Sequence, residues 1–119
     1  MLRAGCGSRQ EKGGPETRPK SILAGPGTRN ASFRGGTIVD LAAGGVRVGE
    51  AIGLEPVGLS ERTARACTVA DSVIRDGGHI FLAGMGVLVQ AAANTTVTHN
   101  DISEFRQTGI SVGWTWNYG

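Results

Sequence analysis

Thr96-Val97-Thr98-His99-Asn100-Asp101-Ile102-Ser103-Glu104-Phe105, followed by Gly109-Ile110-Ser111-Val112-Gly113, is the stretch that decides the fold. It consists of a short β-branched run ending in an acid, a turn, and a Gly-led strand of alternating side chains. The same phrase occurs earlier as Thr68-Val69-Ala70-Asp71-Ser72-Val73-Ile74-Arg75-Asp76-Gly77 with Gly86-Val87-Leu88-Val89-Gln90. A more degenerate copy reads Thr37-Ile38-Val39-Asp40-Leu41 with Gly45-Val46-Arg47-Val48-Gly49. Self-similarity at this spacing marks a solenoid whose units are strands.

Aligning the copies gives a register. Ile38, Ile74 and Ile102 correspond, as do Val46, Val87 and Ile110, and Val48, Val89 and Val112. Stacked at the inter-strand spacing of about 4.8 Å, such residues make continuous aliphatic columns. Antiparallel sandwiches and barrels also use short strands, but the hairpin dipeptides that open those folds are missing. The expected architecture is all-β, a right-handed parallel β-helix of about three coils over residues 33–119. Asn100 falls at a corner, where asparagine tolerates unusual backbone angles and can bond to a neighbouring coil. Ser72 takes its place in the middle copy, so a ladder of asparagines is expected to be interrupted there.

Outside the repeat the chain has a different character. Residues 1–30 carry six Lys or Arg against Glu11 and Glu16, while the rest has six Arg against eight acids and no lysine. Scattered basic charge with Gly and Pro, no period and no interleaved aromatics, predicts a solvated, disordered arm over residues 1–32. It predicts no nucleic-acid partner. The longest apolar run near the start is Ile22-Leu23-Ala24, too short for a secretory signal, and no stretch approaches the ~20 apolar residues of a membrane span. No membrane partner is expected. Residues 50–66 interrupt the pattern: Pro56 and two glycines predict a loop, and Ser60–Ala66 a turn of helix. Cys6 and Cys67 have neither metal-ligand spacing nor a directed disulfide partner, and Cys67 is expected to pack as a small apolar group.

Gly44-Gly45-Val46-Arg47-Val48-Gly49-Glu50, Arg75-Asp76-Gly77-Gly78-His79-Ile80-Phe81 and His99-Asn100-Asp101-Ile102 through Gly109-Ile110-Ser111-Val112-Gly113-Trp114-Thr115-Trp116 resemble bacterial right-handed parallel β-helix proteins. Among these the chain is similar to large polysaccharide-degrading members related to glycoside hydrolases, over residues 33–119. The resemblance implies an internal piece of a longer protein, secreted or periplasmic, inactive as this chain alone, with a polysaccharide or oligosaccharide as partner and no cofactor. Two positions depart from the family pattern. Arg106-Gln107 stands where an aromatic pair commonly precedes Thr-Gly-Ile-Ser, and Gln90-Ala91 replaces Gly-Gln. Both bear on substrate contacts.

The alignment also places Asp40, Asp76 and Glu104 at one position, with neighbours roughly 5 Å apart in a stacked coil. Like charges at that range raise one member's pKa, which suits a general acid beside an ionised partner. Retaining glycosidases hold their carboxylates about 5 Å apart and inverting ones about 6.5–9.5 Å. Asp76, Glu104 and Asp40 are therefore the candidate catalytic residues. The competing role is local: each acid bonds backbone N–H groups at a coil corner.

Trp114, Trp116 and Tyr118 alternate and would project from one face of an extended strand, as a sugar-stacking row or as packing for another segment. His99 and Arg75 complete the candidate substrate contacts. His79 lies near the acids, but no metal site is expected, because no second ligand sits at a set spacing. Arg47 and Arg75 either hold an anionic sugar or neutralise the acidic column. The alternatives to a hydrolase are a non-catalytic glycan-binding or structural β-helix, or an inactive truncated reading frame. Uncapped solenoid ends predict self-association.

Overall fold

The computed structural model describes residues 21–50 and 59–113. Twelve short strands follow one another around a closed circuit: β1 (Ile22–Ala24), β2 (Ser32–Arg34), β3 (Thr37–Ile38), β4 (Val46–Val48), then β5 (Ala64–Arg65), β6 (Thr68–Ala70), β7 (Val73–Gly77) and β8 (Met85–Val89). The last circuit holds β9 (Ala92–Ala93), β10 (Thr96–Thr98), β11 (Asp101–Phe105) and β12 (Thr108–Val112). They assemble as a four-stranded sheet β1-β4-β8-β12, two three-stranded sheets, β10-β6-β2 and β11-β7-β3, and the pair β5-β9. Every named pairing is parallel. Parallel neighbours in several sheets, each visited once per circuit, make a solenoid-like all-β fold compatible with a β-helix.

The register is the one the repeats predict. Ile38 and Ile102 both pair with Ile74, and Val46, Val87 and Ile110 share a position, as do Val48, Val89 and Val112. A further column, Phe33, Val69 and Val97, runs through the β2-β6-β10 sheet. Ile22, Val46, Val87 and Ile110 are 24, 41 and 23 residues apart, although each interval is one circuit. The long interval has two sources. From Val48 to Ala64 takes 16 residues where Val89 to Ala92 takes three, and from Asp76 to Val87 takes 11 where Glu104 to Ile110 takes six. The extra residues fall between strands, and the strands keep their partners.

Two expectations are corrected. The unordered arm expected over residues 1–32 ends too late: β1 pairs with β4, Ile22 against Val46, and Ala31 is buried. Three apolar residues show no period, yet they are one strand's length and extend an existing column. Residues 1–20 lie outside the described residues. The ladder expected to break at Ser72 continues through it. Asn100 Oδ1 accepts from the Ser72 N–H at 3.1 Å, Asn100 Nδ2 donates to the Val69 carbonyl at 2.9 Å, and the Ser72 hydroxyl accepts from the Gly36 N–H at 3.3 Å. A hydroxyl both accepts and donates, so serine can relay where an asparagine is absent. Near the predicted helical turn, α1 (Leu59–Arg62) forms and the chain is already in β5 by Ala64.

Each circuit bends at three register positions through left-handed backbone. Asn30, Ala66 and Asn94 have φ of 56°, 55° and 54°; Gly35, Asp71 and His99 have 63°, 53° and 51°; Asp40, Asp76 and Glu104 have 57°, 58° and 59°. Asn and Asp adopt this region several-fold more readily than other non-Gly residues, which accounts for much of the corner composition.

The core is a stack of small aliphatic layers: Ala24, Val46, Val48, Ala64, Cys67, Val69, Ile74, Val87 and Val89 are buried together. Cys67 is a free, buried thiol, packed as expected. Thr95, in register after Cys67 because the Thr96 N–H donates to the Cys67 carbonyl, keeps a hydroxyl with no exposed surface and no partner. An unsatisfied buried hydroxyl costs about 1–3 kcal/mol, and valine has nearly the same shape. Thr95→Val is therefore expected to stabilise the chain by about 1 kcal/mol. A higher urea midpoint at unchanged slope is the check; a lower midpoint would show that the hydroxyl is satisfied in solution.

Candidate functional site

The corner after β3, β7 and β11 carries the acids. Strand β3 pairs with β7 through Ile38 and Ile74, and the Leu41 N–H donates to the Asp76 carbonyl at 2.9 Å, so Asp40 stands beside Asp76. Ser103 pairs with Arg75 and Phe105 with Gly77, which sets Glu104 on the other side of Asp76. The three carboxylates thus share one register position, as their spacing in sequence implies. All three remain solvent-accessible, with about half of the Asp40 and Asp76 side chains exposed.

The five additional residues between β7 and β8 bring a fourth group. The amides of Gly78, His79, Ile80 and Phe81 donate in succession to the carbonyls of Ala43, Leu41, Ala42 and Ala42, at 2.8 to 3.3 Å. This clamp fixes the bend against the preceding circuit. His79 Nε2 consequently lies 2.8 Å from Asp76 Oδ1 and 3.7 Å from Asp40 Oδ1. The sequence brings His79 near Asp76 as an i, i+3 neighbour, whereas Asp40 arrives from the next strand of the sheet, which no local spacing reveals. Beyond the histidine the bend presents Ile80, Phe81 and Leu82, which are 45, 50 and 61% exposed.

Other predicted residues fall elsewhere. Arg75 is exposed on β7, in register with Ser103 and next to Asp76 in the chain. His99 occupies the preceding corner, with Nδ1 3.2 Å from Thr98 Oγ1 and 4.0 Å from Asp71 Oδ1. Strand β11 separates it from Glu104, a run of about 16 Å at ~3.3 Å per residue. It therefore does not join the acids. Arg47 leaves the column as well: its Nη2 is 3.1 Å from Gln90 Oε1 and 3.5 Å from Glu50 Oε1. It lines a cleft of about 150 Å³ with Ala43, Gly44, Gly84, Met85 and Leu88, to which none of the acids contributes. Trp114, Trp116 and Tyr118 lie outside the described residues.

The arrangement limits the chemistry of each carboxylate pair. Between Asp40 and Asp76 stands an imidazole, leaving no room for a sugar ring. Asp76 and Glu104 are adjacent in register. Phe81 is a half-exposed aromatic residue two positions after His79 on the same bend, and the five-residue lengthening of that bend is the signal by which sequence comparison of the copies could have found it. Among the described residues, no helix is long and apolar enough to cross a membrane. The chain matches no protein-family model, no curated protein and no solved structure.

Proposed function

We propose that this chain is part of a right-handed parallel β-helix, about three coils of it, and that a polysaccharide lies along its acidic corner. The hand follows from the general rule that parallel strands joined by a crossover in one sheet connect right-handedly in about 98% of cases. The observation carrying the glycan reading is the shared register of Asp40, Asp76 and Glu104, held at φ of 57° to 59° with their side chains toward solvent. Carboxylates in a row accept hydrogen bonds from successive sugar hydroxyls, and exposed Phe81 offers a ring for stacking. A binding role suits the Asp40–Asp76 pair, whose interspace the histidine fills.

A hydrolytic role is favoured by one further observation, the placement of Asp76 and Glu104 on neighbouring strands. Their expected separation of roughly 5 Å is that of a retaining pair, in which one carboxylate attacks the anomeric carbon while the other protonates the departing oxygen. Retardation of the full chain in gels containing neutral or acidic polysaccharides tests both readings. Phe81→Ala and Glu104→Gln are expected to weaken retardation at least tenfold. New reducing ends that vanish in both Asp76→Asn and Glu104→Gln would establish cleavage. No retardation by any polysaccharide would overturn the proposal.

A further inference from the structure

We infer that Asp40, Asp76 and His79 form a three-ligand site for a divalent transition-metal ion. Two carboxylate oxygens and one imidazole nitrogen lie within 4.8 Å of one another. The sides from His79 Nε2 measure 2.8 Å to Asp76 and 3.7 Å to Asp40. With the third side at its 4.8 Å limit, the point equidistant from all three atoms is about 2.4 Å from each, and a shorter third side brings it nearer. Zinc bonds to imidazole nitrogen and carboxylate oxygen span about 2.0–2.2 Å. One nitrogen and two oxygens suit zinc or manganese, and three protein ligands leave a coordination position open.

Two carboxylates beside an imidazole also form plain ion pairs, and what favours an ion here is geometric. His79 Nε2 has no exposed surface and makes no aligned hydrogen bond, although a carboxylate oxygen is 2.8 Å away. A buried imidazole nitrogen facing two carboxylate oxygens, with an aligned hydrogen bond to neither, presents the nitrogen and oxygen donors that a transition-metal ion takes. The ligands are also pre-positioned. The amide clamp on residues 78–81 fixes the histidine, and the left-handed backbone at φ of 57° and 58° fixes the two aspartates. This inference stands apart from the glycan reading, because ion binding needs no sugar.

Calorimetric titration of zinc chloride into the untagged 119-residue chain tests it without any polysaccharide present. One equivalent of zinc is expected, with a rise in melting temperature as binding to the folded state requires. Asp76→Asn and Asp40→Asn keep a residue that tolerates left-handed backbone, and each is expected to lower zinc affinity at least tenfold. His79→Ala and His79→Gln should do the same, while His99→Ala stays within twofold. Coordination should also shift the ¹⁵N resonance of His79 Nε2 on zinc addition. Parent-like affinity in the folded His79 variants would overturn the site and leave an ion pair only. Equal loss in His99→Ala would overturn it too, by showing diffuse surface binding.

Discussion

Gly86→Ala is expected to abolish cooperative folding, or to lower stability by about 3 kcal/mol, at the upper end of overpacking effects. Gly86 is the second residue of β8, and a methyl group there would meet Ile102 Cγ2 on one side and stand 2.5 Å from the Gly109 carbonyl oxygen on the other. One obstacle is a half-buried side chain and the other is backbone, so no rotamer change clears both. Gly109 occupies the same register position one circuit on, yet its nearest obstacle would be Ile102 Cγ2 at an ordinary 3.5 Å. Gly109→Ala is therefore the control, expected to leave the unfolding midpoint nearly unchanged. Urea titrations of the two variants, followed by far-UV circular dichroism, give the comparison. Equal effects would show that the glycines serve the turn preceding the strand and not the close approach of the next coil's isoleucine.

Ile74→Ala is expected to be at least as damaging, at about 4 kcal/mol. Ile74 has no exposed surface; it pairs with Ile38 on one side and Ile102 on the other, and its Cγ2 fills the space left by Gly45. Shortening it opens a void walled by neighbouring coils that are themselves hydrogen-bonded in place and cannot collapse inward. Ile110→Ala removes the same atoms from a side chain 48% exposed and should cost about 1 kcal/mol. A domain whose whole stability is about 5–15 kcal/mol distinguishes these outcomes easily. Similar losses at both positions would mean that burial is uniform along the stack in solution.

The columns were legible because pairing equivalent residues requires only that like side chains recur, and Ile38, Ile74 and Ile102 do. The acids were legible for the same reason: their alignment is a register statement, and Asp40, Asp76 and Glu104 obey it. What escaped were features that depend on irregularity. Strand β1 is a three-residue element with no repeat of its own phrase around it. The Ser72 relay depends on a hydroxyl orientation, not on residue type. His79 meets Asp40 only because lengthening one bend swings it back over the neighbouring circuit, against carbonyls that sequence alone does not place. Repetition made the scaffold readable, and a departure from it sets His79 against Asp40 and Asp76.

The bend from β7 to β8 exceeds its counterpart between β11 and β12 by five residues that occupy no ladder position. Excising that surplus would let the chain turn as it does one circuit later, with every strand partner retained and the histidine gone. Framework and reactivity are thus heritable separately. The buried columns tolerate little change in any one layer without penalty to the next, whereas a bend can lengthen or shorten without shifting the strand register, provided the carbonyls it covers find other partners. On a scaffold of this kind, new chemistry would be gained or lost by editing the length of a single bend, and two chains with the same strands could differ entirely in what their corners hold.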